Sequence, residues 1–312
     1  MNQQHKPVLL NEVVEAFEPF EGQTDAVYFD GTYGRGGHFR AVNEKYLPAF
    51  CYITDQDQAA IGQAMLDWKS EIAGGKIQIY HGNFYNFVES QTQEPRYDMV
   101  LLDLGVSSPQ LDEAERGFSF NKEGPLDMRM NQKSDVTAAH IVNTYEAEDL
   151  MEIFKSYGEV PNPFHVVRAI VADRVATPFT STRQLASLIE RVDGWKKKGF
   201  HPATQYFMAL RLVVNRELEV ISDVLPLLIG QMRDQGRIAV ISFHSLEDRI
   251  VKNIFKDSTE GFLVNKKVIV PTEEECKINT RARSAKLRIF QKGRAPEKPD
   301  KFAARRALKT ES

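Results

Sequence analysis

Cysteine is scarce in this 312-residue chain: Cys51 and Cys276 stand 225 positions apart, and neither belongs to a CxxC pair. That excludes a disulfide-stapled scaffold and a zinc ribbon and suits a reducing, cytoplasmic setting. Long apolar runs are also missing. Stretches such as Asp98–Val106 and Arg237–Phe243 fall far short of the ~20 residues that cross a bilayer, so no membrane partner is expected. Met1–Phe20 shows no basic start, apolar core and small-residue cleavage site, so no secretory signal is expected either. The histidines have no metal-ligand spacing, and no metal is expected.

What is present is the mix of a soluble globular protein, 42% hydrophobic and 27% charged. The length suits one large domain or two ordinary ones. A formal net charge of −3 conceals an asymmetry. From Arg281 to Ser312 eleven Lys/Arg face three acids, a surplus of eight, which leaves −11 on residues 1–280. Such a basic end is either a solubilising extension or a polyanion contact, with nucleic acid the usual target.

The first hundred residues alternate short β-rich runs with helical ones. Ala26–Asp30, Ala49–Asp55, Lys76–His81 and Tyr97–Leu104 each read as a strand covered on both faces, and Gln58–Ile72 as a helix. The spacing predicts a parallel sheet with right-handed crossovers. From about Glu113 to Gln205 the pattern turns helical, with runs at Val136–Val142, Ala147–Lys155, Phe164–Val175 and Thr182–Val192, the last with Thr182 as its expected cap. A long helix over Tyr206–Leu228 and a strand over Gly236–His244 then follow. We therefore expect a discontinuous α/β domain over 1–112 and 206–295, a helical insertion over 113–205 and a basic tail over 296–312.

The segment Asp30-Gly-Thr-Tyr-Gly-Arg-Gly-Gly-His38 follows the first strand, where glycines let the backbone turn sharply and approach a ligand. Asp55 ends the second strand, placed to accept hydrogen bonds from ribose hydroxyls. Together they describe a nucleoside-containing cofactor. The spacing is not that of dinucleotide enzymes; an acid before the first glycine fits S-adenosylmethionine, which has no pyrophosphate to cradle. Phe84, after the third strand, is placed either to pack on a purine or to serve as core. Asp103-Leu-Gly-Val-Ser-Ser-Pro-Gln110 ends the fourth strand with small polar residues. Asp103 suits a cofactor ammonium or a substrate amine, and Gln110 suits either task.

The chain resembles a bacterial family, the MraW or small-subunit methyltransferase H enzymes, which methylate the N4 amine of a cytidine in the decoding region of 16S ribosomal RNA. The likeness spans nearly the whole chain. It runs through His5–Leu10, Asp30–His38, Leu101–Asp112, Glu115–Phe120, Gly124–Met130, His201–Thr204, Ala209–Arg211, Ile241–Arg249 and Arg281–Arg288. It implies a Rossmann-like S-adenosylmethionine-dependent methyltransferase sheet with an inserted all-helical, substrate-recognising domain. It places cofactor contacts at Gly36, Gly37, His38, Asp55, Phe84, Asp103 and Gln110. The implied partner is 16S rRNA or the small ribosomal subunit, and a homodimer is left open. The chain departs from the family pattern at Val160, His165, Gln205 and Met208, all in or beside the insertion.

The expected chemistry is an in-line attack of a cytosine amine on a sulfonium methyl. Asp103, Ser107 and Ser108 are the candidates for orienting the amine, with His244 a weaker one. Arg281, Arg283, Lys286 and Arg288 are the candidate phosphate contacts. An RNA-binding assembly factor without turnover, or a methyltransferase acting on DNA or protein, are the competing readings.

Overall fold

The computed structural model describes residues 7–91, 96–194 and 201–295. His5, Lys6 and the expected tail over 296–312 lie outside the described residues.

Seven strands form one sheet: β1 (Val27–Asp30), β2 (Phe50–Asp55), β3 (Ile77–His81), β4 (Tyr97–Asp103), β5 (Met232–Ser242), β6 (Gly261–Leu263) and β7 (Lys286–Lys292). Their order is β3-β2-β1-β4-β5-β7-β6, with β1 to β5 mutually parallel. The last two strands turn back antiparallel on the β5 edge. Alternation along the strands builds a core on each face. Tyr28, Met99, Leu101, Ala239 and Ile241 face one side; Phe29, Val100, Leu102, Ile238 and Val240 face the other. Covered on both faces, the central stretches Met99–Leu102 and Ile238–Ile241 are wholly apolar. The chain winds outward from β1 to β3, then crosses back to place β4 beside β1. That reversal opens the crevice where sheets of this kind bind ligands.

The helical insertion carries its own core. Leu126, Met128, Ile141, Leu150, Phe154, Val166, Ile170, Leu185 and Leu188 bury one another away from the sheet. Its helices run Ala138–Thr144, Ala147–Ser156, Phe164–Ala176 and Thr182–Asp193. The cap of the last is Ser181, not Thr182: Ser181 accepts from the Gln184 N–H, and Gln184 Oε1 accepts the Ser181 N–H in return.

Three further expectations change. The long helix over 206–228 is two helices, Ala203–Val214 and Glu217–Gln231, broken where Arg216 turns left-handed at φ 52°. Asn215 fixes that break from outside. Its side chain accepts from Met130 N–H and donates to the Met128 carbonyl. A contact 85 residues away leaves no periodic trace, so the apolar pattern runs straight through. Tyr206, Phe207, Leu210 and Val214 also pack into the helical core, so the expected boundary at 205/206 falls inside a helix. Similarly, Gln58–Ile72 divides at Trp68 into Gln58–Asp67 and Lys69–Ala73.

Candidate active site

The carboxyl ends of β1 to β5 open into one cavity of about 820 Å³, counting its mouth. Each strand contributes its next few residues: Gly31, Thr32 and Gly34 after β1, Asp55 and Gln56 from β2, Phe84 after β3, Asp103 to Ser107 and Gln110 from β4, and Phe243 and Glu247 after β5. The far wall comes from Met130 of the insertion and from Asn215, Glu217, Val220 and Ile221 at the helix break. Among the described residues, the lining therefore holds four carboxylates, Asp55, Asp103, Glu217 and Glu247, and no Lys, Arg or His.

The turn after β1 is stitched by short bonds. Asp30 accepts from Thr32 N–H at 3.0 Å and from the Tyr28 hydroxyl at 3.3 Å, and burial pushes it up to about 7. Thr32 Oγ1 accepts the Asp103 N–H at 2.6 Å, locking the β1 and β4 ends together. Asp55 takes Gly34 N–H on Oδ2 and Asp57 N–H on Oδ1, both at 2.8 Å. Burial raises Asp55 to about 6 against those bonds. An ionised carboxylate has about four acceptor positions, so Asp55 keeps room for hydroxyl donors on the cavity side.

Asp103 Oδ1 is buried and has no hydrogen-bond partner. Its Oδ2 lies 3.5 Å from His38 Nδ1. His38 Nε2 meets the Val8 carbonyl at 2.8 Å. A carbonyl only accepts, so Nε2 carries the proton and Nδ1 is bare in the neutral ring, the form that burial favours by lowering the His38 pKa. Burial, and then the charge of Glu247, push Asp103 up to about 7.

Gln110 spans two duties: Oε1 accepts the Ser107 N–H and Nε2 donates to Asp57 Oδ2. Arg116 joins the same Asp57 oxygen at 2.7 Å and reaches the Arg129 and Met130 carbonyls. Ser107 thus caps the short helix Ser108–Asp112 that carries Gln110 on the cavity wall. Phe84 is buried in the sheet core, beside Gly31, as one of its sequence readings expected, and it also lines the cavity.

A family model described as the MraW methylase family matches residues 2–293. The chain belongs to that family. It is 55% identical over 295 residues to the ribosomal RNA small subunit methyltransferase H of Bdellovibrio bacteriovorus, covering 94% of this chain and 89% of that one. It is 43% identical to the protein of the same name from Shewanella halifaxensis, covering 93% and 97%. Among solved structures, a putative rRNA methylase from Clostridium thermocellum is similar at 11% identity and a TM-score of 0.45, covering 92% of this chain and 98% of that one.

Within this MraW chain, the expected cofactor residues divide into two sets. Asp55, Phe84, Asp103 and Gln110 line the cavity; Gly36, Gly37 and His38 do not. The two glycines answer to packing. Gly36 sits at φ 71°, where a Cβ would strike the Tyr33 ring, and a Cβ on Gly37 would strike Pro7. His38 reaches the site only through Asp103.

The basic motif is corrected more sharply. Arg288, 7% exposed, donates to Asp248 at 2.7 Å, and Lys286 holds the other Asp248 oxygen at 3.1 Å. Arg281 pairs with Asp112 at 2.9 Å. These three brace β7 and the turn before it; Arg288, buried and paired, is not available to a phosphate, whereas the side chains of Arg281 and Lys286 stay about a third exposed. Arg283 alone of the four is exposed without a partner among the described residues. Two of the family departures are accommodated within the insertion. Val160 is buried in its core, and Gln205 donates to the Gly158 and Glu159 carbonyls.

Residues not foreseen are Thr32, Asn215, Glu217, Glu247 and the Asp57–Arg116 pair. Thr32, Glu247 and Arg116 stand inside the quoted motifs, which was the available signal. Asn215 and Asp57 act through partners distant in sequence and gave none.

Proposed function

We propose that this chain transfers a methyl group from S-adenosylmethionine to the N4 amine of a cytidine in 16S rRNA, free or within the small ribosomal subunit. One observation carries the reading: the cavity at the sheet's carboxyl edge is lined by four carboxylates, one of them with a bare buried oxygen, and by no cationic side chain. Such a wall suits a ligand carrying a sulfonium and an ammonium and repels a pyrophosphate. In this reading Asp55 accepts the ribose hydroxyls, Phe84 packs on the purine and Asp103 accepts an N–H. Bound there, S-adenosylmethionine supplies a sulfonium-activated methyl group.

The amine lone pair is delocalised into the cytosine ring, so the protein must orient the amine and help its proton leave. Asp103 Oδ1, on a carboxyl raised to about 7, is placed to receive that proton at neutral pH. Holding the reactants in line supplies on the order of 7–11 kcal/mol of the acceleration. Ser107 contributes by holding Gln110 and its helix in register. The helical insertion, which supplies Met130 to the far wall, serves as the substrate-recognition part. A target base in looped RNA leaves its stack most easily.

The test is methyl transfer from radiolabelled S-adenosylmethionine to 16S rRNA and to small subunits, followed by nucleoside analysis. Label in N4-methylcytidine is expected. Label confined to DNA or protein overturns the reading.

A further inference from the structure

An acidic cavity wall opposes a polyanion. Residues 1–280 carry −11, and among the described residues the lining offers four carboxylates and no cationic side chain. A cytosine base is neutral and can enter. The phosphates that flank it are repelled by that wall and stay at the mouth, where each needs a counter-charge. The basic motif over 281–288 supplies little of it, because Arg281, Lys286 and Arg288 already hold carboxylates.

Two exposed arginines stand beside the cavity, one on each wall. Arg35 lies between Gly34, which lines the cavity, and Gly36. Both glycines are left-handed, at φ 54° and 71°, so the chain turns sharply on either side of the arginine. Arg216 lies between Asn215 and Glu217, which line the far wall. It is itself left-handed at φ 52°, where a glycine would sit without strain. The bonds from Asn215 to Met128 and Met130 hold the helix break in place. A strained residue that its surroundings over-determine points to a functional position. Among the described residues, neither arginine side chain has a hydrogen bond or an ion pair.

We propose that Arg35 and Arg216 form a two-point phosphate clamp at the cavity mouth, gripping the RNA backbone on either side of the target cytidine. The inference rests on the RNA methyl-transfer reading above and adds the backbone contacts that reading lacks. A nucleotide turned out of its stack keeps one phosphate on its 5′ side and one on its 3′ side. Two cations on opposite walls answer that pair, while the acids between them keep phosphate out of the cavity itself. The base alone then enters toward the Asp103 edge. Contacts of this kind position the strand and carry no base information, so the clamp sets register and leaves the choice of base to the cavity.

Salt titrations of RNA binding test the clamp in the full chain. The probe is a short fluorescein-labelled single-stranded RNA with one central cytidine, titrated with S-adenosylhomocysteine present. Arg35→Ala removes one cation. Arg216→Gly removes the other and relieves the left-handed strain, so neither variant should melt below wild type. Each should flatten the plot of log affinity against log salt by roughly 0.7, and the double variant by roughly 1.4. Arg35→Lys and Arg216→Lys keep the charge and should keep the wild-type slope. S-adenosylmethionine affinity by calorimetry should stay within two-fold in every variant. An unchanged slope in either neutral variant overturns the clamp, and so does equal flattening in its lysine counterpart. A larger loss of S-adenosylmethionine affinity also overturns it and would give that arginine to the cofactor carboxylate. If wild type places no methyl on cytidine, the methyl-transfer reading fails, whereas the salt titrations still decide the role of the two arginines.

Discussion

At the carboxyl edge of the sheet, Asp103 keeps a buried oxygen without a hydrogen bond, whereas Arg281, Lys286 and Arg288 each hold a carboxylate within 3.1 Å. The acidic cavity keeps an acceptor unanswered, while three of the four cations of the basic segment already hold a carboxylate. A charge that has already found its partner is holding the protein together, and further binding would have to break that pair. A buried acceptor with none leaves a cost that a ligand can relieve. By charge count the basic segment was the better candidate for contacting another molecule, and pairing reverses that ranking.

The comparison breaks first at Arg288. Arg288→Ala strands Asp248 beside Lys286 alone, and unpairing a buried ion pair costs about 3–5 kcal/mol. Urea unfolding should show a loss near the lower end, because Lys286 remains. The salt dependence of RNA binding should stay as in wild type; a flatter slope would restore Arg288 to the RNA surface.

Asp103→Asn addresses the opposite region. Losing the proton acceptor should slow single-turnover methyl transfer at least 100-fold, about 2.7 kcal/mol. The same change should stabilise the cofactor-free protein, with a defined pH dependence. The Asp103 carboxyl is raised from an ordinary 3.8 to about 7, so the folded state binds more protons than the unfolded one between those values. Stability from this group is then lost as pH rises from about 4 to 7. With the side chain 27% exposed, solvent screening reduces the effect to about 1–2 kcal/mol. Thermal melts of the variant and wild type should coincide near pH 4 and diverge in favour of Asn by pH 8. Parallel curves would show that Asp103 is already solvated.

Asp55→Ala should weaken S-adenosylmethionine by at least about 1 kcal/mol in calorimetry, the lower end for stranding ribose hydrogen bonds. Unchanged affinity would confine Asp55 to bracing Gly34 and Asp57. The smallest effect belongs to Arg283→Ala. This exposed side chain should leave stability within about 0.5 kcal/mol and reduce the salt slope of RNA binding by roughly 0.7.

Much of the fold is legible because it rests on local pattern. Five parallel strands appear as short β-rich runs since both of their faces are covered, and the insertion shows as a change from that rhythm to helical periodicity. The antiparallel pair β6 and β7 escaped notice. Gly261–Leu263 is three residues long, and Lys286–Lys292 mixes basic residues into its apolar alternation. Cavity residues at strand ends, Asp55, Phe84, Asp103 and Gln110, were readable because a parallel sheet sends every strand end to one edge. Gly36 and Gly37 were readable as necessary but not as to why: each makes room for another part of the protein.

The sequence by itself determined the alternation of strands and helices, the helical interruption, and the sheet edge at which the chemistry gathers. These follow from burial periodicity and from glycine and acid placement, which are properties of neighbours along the chain. Tertiary structure alone decided which charges are satisfied. Asp248 meets Arg288 across 40 residues, Asp112 meets Arg281 across 169, and Asn215, at the helix break, is held by Met130 from 85 residues away. Whether a carboxylate serves as a brace or waits for a ligand depends on what the fold brings to within 3 Å of it. Residue order encodes that only through the whole chain.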